Sequence, residues 1–225
     1  MTAAARRPTL LVLAGVNGAG KSSVAGERLR AAGLDYFNPD EATRRLRDSG
    51  WREAEANEQA RCFGRDQLKA AISDGSNFAI ETTLGGRTLP ALIAQACATH
   101  EVTIWFVGLD SPERHIARVA ARVSQGGHPI PESRIRERWD AARKNLIALL
   151  PRVHALWVYD NSEECADGAS ANPILILHYK AGRIVAPSAN RIQATPEWAK
   201  PIVEAAMRIA SNRRKGELWV PREVA

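Results

Sequence analysis

Cysteine is scarce in this 225-residue chain: Cys62, Cys97 and Cys165 stand far apart, with no CxxC pair and no histidine at metal-ligand spacing. Neither a disulfide framework nor a zinc site is indicated, and a reducing, cytoplasmic setting fits. Aromatics make up only 6% and do not interleave with basic residues, which argues against a nucleic-acid groove despite a net charge of +6. No apolar run approaches the roughly 20 residues that span a bilayer, so a soluble protein with no membrane partner is expected. The N-terminus "MTAAARRPTLLVLAGV" has the outline of a secretory signal. Its apolar run is short, no small-residue cleavage site follows, and it leads straight into a glycine-rich loop, so no leader is expected.

Lysine is also scarce, with 6 Lys against 25 Arg. Arginine is the planar, bidentate partner of phosphate and carboxylate. Between Ser111 and Asn145 seven Arg and one Lys face four acids, so a net +4 of the total +6 sits in one segment.

Apolar runs suited to buried strands occur at Thr9–Ala14, Phe78–Ile80, Val102–Val107 and Leu156–Tyr159, with a shorter candidate at Asp35–Phe37. Helical patterns lie between them, at Ser22–Ala32, Glu53–Ile72, Leu89–Thr99, Pro112–Val123 and Glu132–Leu150. Alternation of this kind predicts an α/β fold with a parallel sheet flanked by helices. The core is expected over residues 1–162, including a helical lid at about 111–150. Residues 163–225 read as a loop (164–172), a β-hairpin around Ala181-Gly182 and a last helix, packed on that core as one domain.

What fixes the chemistry is "GVNGAGKS", Gly15–Ser22, a full G-x-x-x-x-G-K-[ST] match placed directly after a strand and before a helix. Gly15, Asn17, Gly18, Ala19, Gly20, Lys21, Ser22 and Ser23 are the expected nucleotide-binding residues. The glycines let backbone N–H groups turn inward around a phosphate, and the helix start adds its positive end. Lys21 would reach the β- and γ-phosphates and Ser22 would ligate Mg²⁺.

Two further strand ends carry acids, at the edge where open α/β sheets bind ligands. "NPD" offers Asp40 as a base for an attacking hydroxyl, or else a turn that caps the next helix. "IETTLGG" offers Glu81 for substrate hydroxyls or a Mg²⁺ water and Thr82 and Thr83 for the acceptor, or else a capping turn. Asp110 reads either as a Walker-B carboxylate or as a cap.

Downstream, Arg114, Arg118 and Arg122 recur every four residues and form one helical stripe; Arg134 and Arg138 do the same, with Arg136 offset. Between the stripes lies "SQGGHPIP". A transporter-type ATPase signature runs in a different order and needs an Asp-Glu pair after the strand ending at Leu109, which is missing. The alternative is a lid of two helices joined at Gly126-Gly127 that closes arginines over the migrating phosphate. His128, at its tip, is either a phosphate contact or a polar turn residue.

Together "GVNGAGKSS", "NPD", "FAIETTLGG", "FVGLDSPERHIARVAARVSQGGHPIPESRIRERW" and "YDNS" resemble the zeta-toxin-like P-loop kinases, in particular a bacterial branch often labelled predicted ABC-type ATPases. The resemblance covers about residues 8–162. It implies a P-loop NTPase, nucleoside-kinase-like fold, ATP or GTP as donor, Mg²⁺, and transfer to a hydroxyl of a small molecule such as a UDP-amino sugar. By the same resemblance Lys21 and Asp40 are catalytic and Glu81 is the acidic residue of the acceptor site. Arg122 and Arg118 fall on the first lid position, and His128, Arg136 or Arg138 on the second. Toxin members have a small antitoxin protein as partner, and no nucleic acid is expected. The competing reading is a nucleotide-dependent ATPase or binding switch that has no small-molecule acceptor.

Overall fold

The computed structural model describes residues 6–26, 29, 35–163 and 172–214. Six strands, β1 (Thr9–Ala14), β2 (Phe78–Thr82), β3 (Glu101–Gly108), β4 (Ala155–Asp160), β5 (Ile174–Lys180) and β6 (Arg183–Ala186), form one sheet in the order β2-β1-β3-β4-β5-β6. The first four are parallel, and β5 and β6 run antiparallel. The predicted strand at Asp35–Phe37 is reduced to a single parallel bridge from Phe37 to Ile80 beside β2. The chain therefore leaves β1 for β2 on one side and returns to β3 on the other. That reversal opens a crevice at the C-terminal end of β1, where the phosphate loop begins.

The helices are α1 (Pro39–Asp48), α2 (Glu53–Asp74), α3 (Thr88–Ala96), α4 (Pro112–Ser124), α5 (Glu132–Leu149) and α6 (Lys200–Arg214). Each agrees with its apolar period except α1, whose "PDEATRRLRD" buries only Thr43 and gives the period little to mark. After Lys21 the chain makes a π-helical turn over Ser22–Gly26; the rest of the helix expected to reach Ala32 lies outside the described residues apart from Leu29. The loop expected at 164–172 also lies outside them, Asn172 excepted.

One layer of the core is a straight row across five strands: Ile80, Val12, Ile104, Leu156 and Tyr179 are in register, and none is more than 1% exposed. Burying both faces of a parallel sheet calls for such near-continuous apolar strands. On the other face the row Trp105, Trp157, His178 stacks edge-on and then face-to-face. The C-terminal segment completes the first layer. Ile202, Val203, Ala206 and Ile209 of α6 join the same cluster, and Trp198, just ahead of it, packs on Phe106 with ring centroids 6.3 Å apart. Gly108 makes room for that indole, since an added Cβ would meet the ring. Among the described residues no helix is long and apolar enough to cross a membrane.

Truncating Trp198 to Ala should lower stability by about 3–5 kcal/mol, the usual cost of removing a buried Trp. Chemical unfolding followed by far-UV circular dichroism measures it; an unchanged midpoint would mean that this indole does not close the core.

Candidate active site

The phosphate loop leaves β1 by lying directly on neighbouring backbone. Gly15 (φ 147°) sits where an added Cβ would come within 2.3 Å of the Val107 carbonyl oxygen, and Gly18 (φ 80°) where one would come within 2.7 Å of that of His115. Positive φ and zero clearance both demand glycine. The loop is tied from two sides. His115 of α4 is buried and its Nδ1–H donates to the Asn17 carbonyl (2.8 Å), while Asn161, just after β4, donates from Nδ2 to the Ala19 carbonyl (2.9 Å). The sequence reading named neither role. His115 was legible only as a polar residue on the apolar face of α4 one turn from Val119, and Asn161 only as a polar residue at a strand's C-terminal end.

Below the loop, Glu81 gathers three partners. Lys21 Nζ stands 3.4 Å from Glu81 Oε1, and both Ser22 Oγ and Asn38 Nδ2 donate to Oε2 at 3.2 Å. Lys21 and Glu81 are each 7% exposed, so the pair sits where the low dielectric strengthens it and where loss of one partner strands a charge. Ser22 and Ser23 face solvent. One hydroxyl and one carboxylate suit a Mg²⁺ that also takes phosphate oxygens. Among the described residues no group of three His, Cys, Asp or Glu side chains would hold a metal by itself.

The turn at Asn38 is a helix cap. Asn38 caps α1, its Oδ1 accepting from the N–H groups of Asp40 (2.9 Å) and Glu41 (3.3 Å). Asp40 gives only its N–H to the cap, so its carboxylate stays turned to the crevice, 3.8 Å from Arg122 Nη1. Thr82 and Thr83 fold the next strand end back: their hydroxyls accept from Leu84 N (3.0 Å) and Gly85 N (3.4 Å). Lys21, Asp40, Glu81, Thr82, Thr83, Asn17, His128 and Arg138 line one cavity of about 450 Å³. It adjoins a chamber of about 380 Å³ with Phe37, Ile80 and Leu89 in its walls and Arg61, Arg65, Arg87, Arg134 and Arg138 around it. Asp40 also lines a third cavity, between α1 and the turn that follows α4.

The arginines divide by partner. Arg138 of α5 is half-buried and donates from Nη1 to Asn17 Oδ1 (2.7 Å), so α5 touches the phosphate loop. Arg118 lies against the loop at Gly18. Arg122 spans from Asp40 to the His128 carbonyl. Arg136 points elsewhere: it binds Glu113 of α4 at 2.5 Å and lines none of these cavities. Its offset from the stripe, visible in the sequence, turns it outward. Asp110 is likewise removed from the phosphate loop's chemistry, held by Arg114 Nε (2.9 Å) beside the capping Ser111. His128 pairs with Glu53 at the start of α2 while lining the cavity. In "SQGGH", Gly126 (φ 86°) and Gly127 return N–H groups to the carbonyls of Val123 and Arg122, which ends α4 and turns the chain towards α5.

A parallel sheet with a phosphate loop at its switch point, and two arginine-bearing helices resting on that loop, is the architecture of a P-loop kinase-like domain. A family model described as an AAA domain matches residues 10–147, more than half of the chain, and the chain belongs to that family. Among solved structures, the AvrRxo1-ORF1:-ORF2 complex with ATP aligns at TM-score 0.61 and 15% identity, covering 95% of this chain and 77% of that one. The PezAT chromosomal toxin-antitoxin system of the human pathogen Streptococcus pneumoniae aligns at TM-score 0.53 and 14% identity, covering 96% and 89%. The resemblance read from the motifs thus extends to the fold. No curated protein sequence matches the chain.

Burial pushes the His115 imidazole down to about 4, with Lys21 and Arg118 adding to the effect and the Asn17 carbonyl opposing it. The unfolded chain titrates near 6.5, so between these values it binds a proton that the folded protein refuses. Stability should therefore fall as pH drops from about 6.5 towards 4, by up to roughly 3 kcal/mol. Urea unfolding at pH 7 and pH 5 measures this, and His115→Asn, which keeps a donor near Nδ1, should flatten the dependence.

Proposed function

We propose that this protein is a phosphotransferase that moves the γ-phosphoryl group of ATP or GTP to a hydroxyl of a small molecule. The observation that carries the reading is the single cavity in which a phosphate-loop lysine, a strand-end carboxylate and a lid arginine meet: Lys21, Asp40 and Arg138. A hydrolase needs no second compartment, whereas here an arginine-edged chamber continues from the transfer cavity. Its apolar walls and excess of positive charge suit an acceptor that is itself anionic. A UDP-amino sugar, which the motif resemblance indicates, has that chemistry.

The residues divide the work as follows. The loop from Gly15 to Ser23 cradles the donor phosphates, and Lys21 leaves Glu81 for them. Ser22, with Glu81 behind it, would hold Mg²⁺, which when bound neutralises charge on the phosphate oxygens. Thr83 and Glu81 orient the acceptor. Its hydroxyl oxygen bonds to the γ-phosphorus as the bridging bond to the β-phosphate breaks, and its proton passes to the Asp40 carboxylate. Arg118, Arg122 and Arg138 offset the charge that spreads over the phosphoryl group, the kind of contact worth about 10³–10⁵ in rate elsewhere. His128 holds the lid tip over Asp40 and contacts the acceptor. A role as the toxin of a toxin–antitoxin pair rests on the motif resemblance and on a structural neighbour from such a system; an antitoxin protein would then be the partner.

Incubation with γ-labelled ATP or GTP and a panel of UDP-sugars tests the reading. A labelled sugar nucleotide supports it, and free phosphate with no labelled acceptor marks an ATPase or switch instead. Lys21→Ala should abolish transfer and weaken nucleotide binding at least about 100-fold. Asp40→Asn should cut transfer by about 10²–10⁴ while nucleotide affinity, read by titration with a fluorescent analogue, stays within a few-fold. Equal loss of binding in Asp40→Asn would reduce this residue to a structural turn.

A further inference from the structure

Arg138 touches the phosphate loop by a hydrogen bond and also lines both chambers. A long, half-buried side chain loses much rotamer freedom when held so, and something must hold it. Asn145 stands seven residues later on α5, two turns along and on the same face. Its Nδ2 donates to two carbonyls of the turn that walls the acceptor cavity, Leu84 (2.7 Å) and Gly86 (2.9 Å). Gly85, between them, lies on the stem of Arg138: an added Cβ would come within 2.6 Å of its Cγ and 3.0 Å of its Cα. Leu84 itself is in the left-handed region at φ 55°, an uncommon state for a side-chain-bearing residue and one that needs outside support.

We propose that Asn145 is a positioning residue for Arg138 in the transfer reaction. By gripping the carbonyls on either side of Gly85 it presses the turn against the arginine stem. That fixes the spacing between the guanidinium at Asn17 and the acceptor wall at Thr83. The two sides of the reaction are then registered on one rigid helix, and an error of about 1 Å there is costly to rate. This rests on the phosphotransferase reading for its kinetic consequence, and on the geometry alone for the ordering of Arg138.

The test compares Asn145→Ala, Asn145→Asp, Arg138→Ala and the double variant Asn145→Ala/Arg138→Ala as full chains. Asn145→Ala should lower kcat by about 10–100-fold with donor KM within about threefold. In the Arg138→Ala background the same change should cost less than about twofold, because its effect runs through that arginine. Asn145→Asp keeps the shape but turns oxygen lone pairs towards both carbonyls, so it should be impaired at least as much. Equal losses in both backgrounds, a wild-type-like Asn145→Asp, or a drop matched by the lost folded fraction would overturn the proposal. An arm independent of turnover is ¹⁵N NMR of the Arg138 Nε–H, assigned by its disappearance in Arg138→Ala. This signal should be a protected, resolved resonance that collapses towards free-arginine values in Asn145→Ala, and an unchanged signal overturns the proposal. Should the wild type label no acceptor, the phosphotransferase reading fails and this resonance alone decides the positioning.

Discussion

Backbone lying on backbone at Gly15 and Gly18 is the constraint from which the rest of the site follows. The loop can reach the Val107 and His115 carbonyls only because no side chain intervenes. That contact seats it at once on β3 and on α4, so α4 is docked to the phosphate loop by the same packing that shapes the loop. His115 and Asn161 then spend their hydrogen bonds on loop carbonyls instead of on one another. Buried polar groups without partners cost free energy, so satisfying them against the loop resists its collapse.

Charge is handled in two ways. On the outside, Arg114 with Asp110 and Arg136 with Glu113 make exposed pairs, each worth little to stability. Inside the crevice, Lys21 is balanced by Glu81 and Arg138 by an amide oxygen. Arg122 faces Asp40 at a distance too long for a hydrogen bond. The interior cations are thus held by partners that an incoming anion can replace. Much of the arginine excess is a solvated surface, and a small part is a reserve of positive charge aimed at one place.

The cavity wall opposite the phosphate loop is built from turns that fold back on themselves. Asn38, Thr82 and Thr83 use their side chains on local N–H groups, Glu81 is taken up by Lys21, Ser22 and Asn38, and the Asp40 carboxylate is left facing the cavity. The turn at 83–86 is tied to α5, across the crevice, through the Asn145 amide.

The parallel sheet, the phosphate loop and the helices bearing the arginine stripes were all legible in the sequence. Each is written in local signals: apolar runs, a fixed glycine–lysine spacing, and residues four apart. The strand at Asp35–Phe37 shrank to one bridge because an edge position offers it only one neighbour, and α1 went unmarked because a polar, surface helix has no apolar period. Only the tertiary structure decided which arginine faces what. Arg136 and Arg138 are two residues apart on one helix, so they point to different sides, and the identity of the nearest acid or amide across the gap sets their roles. The same holds for Glu81, His115, Asn145 and Asn161: their partners lie 59, 98, 61 and 142 positions away in the chain, a separation no local pattern encodes.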